Sequence, residues 1–587
     1  MDWILDEFVM HQQSSMAGRP TVLEGRRDPV AVAANPVSLS RRSLHRLCEE
    51  PESSHRSLIK SCALSREPGC RIFHAAGFRR QLSTMELLRL LLDHPLVAAS
   101  AAFAAYILSI VIYRLYLSPI AHFPGPRLAA LTVFYEFYWE AVRNGQFTFH
   151  IGELHKKYGP IVRISPTELH CSDPDFYEVI YSRDSPRNKY DYYQRTFNAP
   201  YALITAEDHY RHRLIRGQIN PFFSMARIRE LEPTLKALVD KLCRRLEELK
   251  GTGQPINIEY PLTCYTTDVI TDYTMGTGYH YLDEPDFIPQ WQHTLCGTAK
   301  TLVFVRPVAF LLPLLVSMPE SLTAWLNPGM ELFFGFQRRC RAKIAEIAKN
   351  HREKGPRISI DGRETLFDNV LSSNLPPEEK SEARLAQDMQ VFVSAGAETT
   401  AKAISYILFY LHNEPELLKK LKAELEPLGN DPKLIELEQL PYLTGVMLEG
   451  IRLSYGVTAR LPRIAPYNAL KYKDWTIPPG TPISMSCLLM HHDESIFPDS
   501  YRFNPERWTD PAERKRLEKY MVAFSKGSRM CIGMHLARSE IYLVISNLLR
   551  RMNFELFETT IEDVRVIHDI FIPFVKMDSK GVRFLIK

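Results

Sequence analysis

Phe524, Ser525, Lys526, Gly527, Ser528, Arg529, Met530, Cys531, Ile532, Gly533 is the stretch on which the reading of this 587-residue chain turns. Its cysteine stands between two glycines, with an arginine two residues before it and an aromatic seven before. A free thiol titrates near about 8.5, so a thiolate at neutral pH needs a positive field or a metal beside it. Gly527 and Gly533 allow backbone conformations and close approaches that a β-carbon blocks, so peptide N–H groups can turn toward the sulfur. A helical pattern (Leu536, Ala537, Ile541, Leu543, Val544) begins just after Gly533 and brings the positive end of its dipole to the same place. Cys531 read only as a small buried hydrophobe accounts for neither glycine, nor Arg529, nor Phe524.

Written as F-x-x-G-x-R-x-C-x-G, the stretch resembles the haem-binding signature of the cytochrome P-450 superfamily, with its five fixed positions present. The resemblance implies a mainly α fold with small β-sheets, a helix-rich triangular prism around haem b. It implies that Cys531 is the axial iron ligand, that Arg529 pairs with a haem propionate, that Phe524 packs beside the sulfur and that Gly527 belongs to the same loop. A thiolate ligand favours O–O cleavage, so O2 is the expected co-substrate.

Residues 391–400 lie in a long helical pattern and include Ala395, Gly396, Ala397, Glu398, Thr399. An acid followed by a hydroxyl in an apolar helix is costly to bury without a purpose. Ala395 and Gly396 remove side chains and let the helix pass close over a flat cofactor; Thr399 can bond back to a carbonyl and open the helix locally. The match to the family's A/G-G-x-D/E-T motif implies Thr399 and Glu398 as the catalytic pair, Thr399 serving oxygen activation and Glu398 the relay of protons.

Glu449 and Arg452, three apart, share a helix face. With the later run Pro505, Glu506, Arg507, Trp508 they resemble the family's E-x-x-R and P-E-R-W elements, implying a buried structural triad of Glu449, Arg452 and Arg507. Arg216 is the expected propionate partner from an earlier helix; His212 stands where the family usually has tryptophan, and the solvated basic helix face remains the alternative for both. Before a proline-containing strand pattern, Arg463 is a further propionate partner by position, with Arg460 as the alternative, and Val457, Thr458 and Ala459 are expected to face the substrate cavity. Ile570, Phe571 and Ile572 match the family's last hydrophobic loop, and the aromatic segment 190–206 falls where the family covers its substrate. His491 and His492 invite a metal reading, but neighbours on a strand point to opposite faces, so that site is set aside.

Composition is that of an ordinary globular protein, 45% hydrophobic and 24% charged, and a net charge of +4 argues for no nucleic-acid partner. Ten cysteines without C-x-x-C spacing fit a reducing compartment. Residues 1–84, rich in Arg and Ser, read as a disordered or presequence-like extension, and Met85 reads as a start of its own. Residues 95–113 carry no charge; as a helix they span about 28 Å, enough for a transmembrane segment. Residues 114–127 read as a proline-rich hinge and 128–587 as the catalytic domain. In the family this arrangement marks single-pass endoplasmic-reticulum enzymes facing the cytosol.

The resemblance therefore implies a membrane-anchored haem-thiolate monooxygenase that hydroxylates or epoxidises a lipophilic molecule. In overall wording the chain resembles fungal secondary-metabolism members such as trichodiene oxygenase, which implies a terpenoid or polyketide-type scaffold. No nicotinamide or flavin fingerprint is present, so electrons are expected from NADPH through a cytochrome P-450 reductase docking near Lys526. A haem-thiolate isomerase or dehydratase, and a non-catalytic haem-binding protein, are the rival readings; neither needs the Glu398–Thr399 pair.

Overall fold

The structure, a computed structural model, describes residues 95–191, 199–308, 311–326, 329–358 and 364–587. The extension 1–84, the start at Met85 and part of the 190–206 segment lie outside the described residues. The uncharged stretch forms α1 (Pro95–Ile112), with none of its residues buried, and continues as a π-turn over Tyr113–Leu117. Together these 23 residues are long and apolar enough to cross a membrane. The proline stretch that follows lies against a strand: Arg163 donates its backbone N–H to Pro124 at 2.7 Å and its guanidinium to the Arg114 carbonyl at 2.7 Å.

That strand, β1 (Ile161–Arg163), pairs antiparallel with β2 (Leu169–Cys171). They join β3 (Asn188–Lys189), β4 (Arg463–Ile464) and β5 (Pro482–Ser484) in one sheet of order β1-β2-β5-β4-β3. A separate hairpin pairs β6 (His568–Ile570) with β7 (Ile572–Phe574) around Phe571.

Helices make up most of the rest. Those that build the site are α2 (His209–Ile219), α3 (Glu259–Met275), α4 (Pro289–Val305), α5 (Glu382–Asn413), α6 (Pro441–Ser454) and α7 (Met534–Arg551). The 32-residue α5 runs through the main core and packs on α3, α6 and α7. Burying α3 is unusual work for a helix with five buried threonines. Thr266, Thr267, Thr271 and Thr274 each return their hydroxyl to a carbonyl one turn back at 2.6–3.0 Å, so no hydroxyl among these four is stranded. Thr266 also donates across to the Ala397 carbonyl of α5 at 2.7 Å, tying the two helices together at the motif.

Candidate active site

Cys531 lies in the loop that enters α7. Its own N–H donates to the Phe524 carbonyl at 2.8 Å; burial raises its thiol, opposed by the backbone of Gly533, the charge of Arg216 and the backbone of Met534. The first turn of α7 thus aims unpaired donors at the thiol, as a helix N-terminus does. Phe524 sits at the same turn with the Arg538 guanidinium over its ring. Gly527 has φ +74°, and a β-carbon there would fall on the carbonyl oxygen of Tyr181. Gly533 departs from expectation: its φ is −82° and no protein atom lies within 4 Å of where its β-carbon would be. The loop needs Gly527 for its path; Gly533 meets no such demand from the protein.

Among the described cysteines Cys531 alone is exposed. On α5, which packs on α7, Ala395 is exposed in the middle of the helix, with Thr399 half-buried one turn on. Exposure of an alanine inside the longest core helix marks an open slot along α5. Thr399 donates to the Ala395 carbonyl at 2.9 Å, yet α5 continues unbroken, so the local opening expected from sequence is not present. Gly396 also has a different use: its β-carbon position lies 3.0 Å from Ile270, so its small size lets α3 approach α5. Glu398 is buried and turned toward α4, paired with Lys402 at 3.0 Å.

One group of side chains gathers positive charge. Lys189 and Arg463 face each other across β3 and β4. Arg529 donates to the carbonyls of Glu207 and Asp208 at 2.8 and 3.1 Å, fastening the cysteine loop to the start of α2, while its Nε is buried without a partner. Burial, then Arg463, Arg529 and Arg216, holds Lys189 well below the usual lysine range; burial and the same neighbours, Arg529 first, keep His212 neutral. Among the described residues no carboxylate forms an ion pair with Arg216, Arg463 or Arg529. Sequence reasoning missed Lys189, a two-residue strand with no motif. It also left Arg460 open, and the structure places Arg460 elsewhere: its guanidinium is held by Glu136 at 2.8 Å and Glu168 at 2.9 Å.

Several other expectations are corrected. Thr458 is fully buried and donates its hydroxyl to Asp569 at 2.8 Å, and Ala459 is buried with it; of that trio only Val457 keeps exposed surface. Ile570 and Ile572 pack on Ala299 and Val303 of α4, leaving Phe571 half-exposed at the hairpin tip with φ +88°. Lys526, near which the reductase is expected to dock, pairs with the exposed Glu178 at 2.7 Å. His491 closes a short helix, Cys487–His491, and lies on no strand. The triad assembles around Glu449, which is 0% exposed: Arg452 Nη2 lies 2.8 Å and Arg507 Nε 3.1 Å from the same oxygen.

The description "Cytochrome P450" matches residues 124–570 of the chain. The chain belongs to the cytochrome P450 family. Among its relatives, the cytochrome P450 monooxygenase MO6277 of Ascocoryne sarcoides is 42% identical over 497 residues, covering 82% of this chain and 96% of the relative. Cytochrome P450 monooxygenase tpcC of Cochliobolus heterostrophus is 40% identical over 81% of this chain and 94% of its own. A tryptophan 6-hydroxylase, fscE of Fusarium equiseti, is 37% identical over 82% and 94%. The protein is a haem-thiolate monooxygenase of fungal secondary-metabolism type: P450 enzymes hold haem by a cysteine thiolate and use O2 with electrons supplied by a reductase.

The residues present fit that group. Haem offers an iron that takes a thiolate and two carboxylates that need cations. The fold supplies an accessible thiol ringed by N–H donors, and beside it a cationic cluster with an orphaned guanidinium nitrogen. Buried like charges repel, and a dianion held among them relieves that cost.

Proposed function

We propose that this P450 inserts one oxygen atom into an unactivated C–H or C=C bond of a lipophilic secondary metabolite, a terpenoid or polyketide-type scaffold. The observation that carries the reading is the exposed Cys531 at the entrance of α7, with the exposed Ala395 and half-buried Thr399 on α5, the helix that packs on α7, and with the cationic cluster of Arg216, Arg463 and Arg529. Residues 95–113 serve as a single-pass endoplasmic-reticulum anchor, 114–127 as the connection and 128–587 as the cytosolic catalytic domain, with NADPH-cytochrome P-450 reductase as electron donor.

In this reading Cys531 holds haem b, and the N–H groups of Gly533 and Met534 stabilise its sulfur as the anion. Arg529, Arg463 and Arg216 take the two carboxylates, with Lys189 alongside; the neutral His212 packs there without adding charge. Haem, when bound, supplies the chemistry that splits dioxygen. Ala395 leaves α5 thin enough for a reactant to lie against it. The Thr399 hydroxyl, parked on the Ala395 carbonyl, is one rotamer from presenting its proton to the slot. Glu398 brings protons to that hydroxyl from behind α5. Glu449, Arg452 and Arg507 keep the loop's support rigid.

The test is the reduced protein under carbon monoxide, where a thiolate-type Soret band is expected and its absence in a folded sample overturns the reading. NADPH-dependent oxygen uptake with a reductase then separates a monooxygenase from an isomerase, and metabolite profiles after gene deletion identify the substrate class.

A further inference from the structure

α5 carries a ridge that the core does not cover. Gln387, Val391, Ala395 and Thr399 follow one another at steps of four and none of them is buried, while Asp388, Phe392 and Val393 beside them are. At about 1.5 Å per residue the ridge runs about 18 Å from Thr399 back to Gln387. At its Gln387 end α5 takes hold of another part of the chain. Gln387 Oε1 accepts the backbone N–H of Tyr201 at 2.7 Å, and Asp388 Oδ1 accepts that of Leu203 at 2.6 Å. The far end of the same segment is held at the cysteine loop, where Arg529 donates to the carbonyls of Ala206, Glu207 and Asp208. Residues 199–208 are thus a strap from the ridge of α5 to the loop of Cys531.

The strap has a shape of its own. Leu203–Thr205 is a single 3-10 turn, and the fully buried Thr205 donates its hydroxyl to the Ala199 carbonyl at 2.6 Å. Lys189 fastens its middle through the Ile204 carbonyl. The carboxylate that ties it to α5 has a support built behind it. Asp388 Oδ2 lies 2.7 Å from Arg384, one turn earlier on α5; Arg384 Nε lies 3.1 Å from Glu379; and Glu379 meets Arg211 of α2 at 2.6 Å. Asp388, Arg384 and Glu379 are all buried. Two acids face two guanidiniums, so the network is neutral as a whole. Burial still pushes the Asp388 carboxyl up, opposed by Arg384 and then by the Leu203 N–H. Such a network is a poor source of stability, because apolar side chains of the same volume do as well. It is a good source of position, because an apolar contact has no direction and a hydrogen bond to a carboxylate has one.

We propose that Asp388 is a positioning residue that holds the strap 199–208 as a fixed wall at one end of the slot, and that this wall favours bulky lipophilic reactants over small ones. The inference rests on the reading of the slot as the place where the reactant lies. A wall already in place needs no ordering when a large ligand settles against it, whereas a loose one must be ordered at the expense of affinity. A small ligand at the Thr399 end does not reach the strap, since Asp388 lies about 16 Å away along α5. Gln387, half-buried, adds a second tether beside the first.

Two azoles that offer the same kind of ring nitrogen to the haem iron test this in the full-length holoenzyme: imidazole, and clotrimazole, whose imidazole carries three aryl rings. The variants are Gln387→Ala, and Asp388→Leu combined with Arg384→Met, which removes one charge of each sign and leaves Glu379 to Arg211. Soret titration should show the dissociation constant of clotrimazole raised about tenfold in the double variant and about threefold in Gln387→Ala, with that of imidazole unchanged. Hydrogen exchange should find the strap amides protected in the original protein and open in the double variant, in haem-free samples as well. Gln387→Ala disturbs no buried charge and carries the test if the double variant does not fold. Both azoles weakened alike, neither weakened, or strap amides still protected in the double variant overturns the tether alone. No Soret shift with imidazole in the original protein overturns the reading of the slot beneath it.

Discussion

Trp508 donates its indole N–H to Oε2 of Glu449 at 2.8 Å, on the carboxylate that also receives Arg452, Arg507 and the backbone N–H of Asn504. Burial alone would raise this carboxyl, but Arg452 and then Arg507 more than offset it and hold it below the usual range. Glu449→Gln leaves Arg452 buried without its partner and is expected to cost about 3–5 kcal/mol, whereas Trp508→Phe costs about 1–2 kcal/mol for one stranded acceptor. Denaturant titration of both variants checks the ranking. Because the folded value is depressed, this stability is present above the unfolded value near about 4.3 and is lost as pH falls through the lower folded one.

The pair Glu449 and Arg452 was legible because a spacing of three puts both on one helix face, and Arg507 because it follows in a fixed motif. Trp508 was not, since nothing in sequence says which side of a short turn an indole takes. The choice between Arg460 and Arg463 was illegible for a stronger reason: it is made by Glu136 and Glu168, some 300 residues away in the chain. Likewise the motif around Glu398 gave the residues of α5 but not their directions. Gly396 turned out to serve helix packing, and Lys402, which fixes where Glu398 points, belongs to no motif.

The two glycines of the cysteine loop should separate. Gly527→Ala forces a β-carbon onto the Tyr181 carbonyl at a left-handed φ, so the loop must move. A large drop in thermal midpoint and poor haem uptake are expected. Gly533→Ala meets no protein atom, so the haem-free fold keeps its stability. Calorimetry on haem-free samples, followed by the Soret absorbance of reconstituted ones, reads both effects.

Arg463→Ala is expected to weaken haem retention about tenfold or more, the worth of one charge-assisted contact, while the fold survives. Arg460→Ala should do the opposite, leaving haem affinity near normal but destabilising the protein, because Glu136 and Glu168 lose their shared partner. His212→Phe should retain haem, since the imidazole is neutral where it lies. Haem transfer to an excess of apomyoglobin measures all three.

His491 gives the fold a second pH limit. Its ring takes the Val522 N–H at 3.1 Å and meets the Arg452 carbonyl at 2.9 Å; burial and then Arg452 lower it to about 3. The unfolded chain binds a proton here near about 6.5 and the folded one does not, so stability falls as pH drops below that value, by roughly 1.4 kcal/mol per unit from this group. Between pH 6.5 and 5 the slope of unfolding free energy against pH should flatten in His491→Gln, a loss the Glu449 group cannot mimic because it acts lower.

Ala395 is the residue on which access to the slot depends. A side chain added there extends from an exposed position on α5 into the slot and not into the core, so the helix and its contacts with α3 stay as they are. Ala395→Phe should therefore leave thermal stability of the haem-free protein within about 0.5 kcal/mol of the original, as surface changes do, yet abolish haem loading or substrate-induced spectral shifts. Ala395→Gly should keep both. If the phenylalanine variant instead unfolds, position 395 is core and the slot does not run where Ala395 and Cys531 place it. If it folds and turns over normally, the reactant lies on another face of α5, and Thr399, one turn away on the same face, loses its claim to the proton step as well.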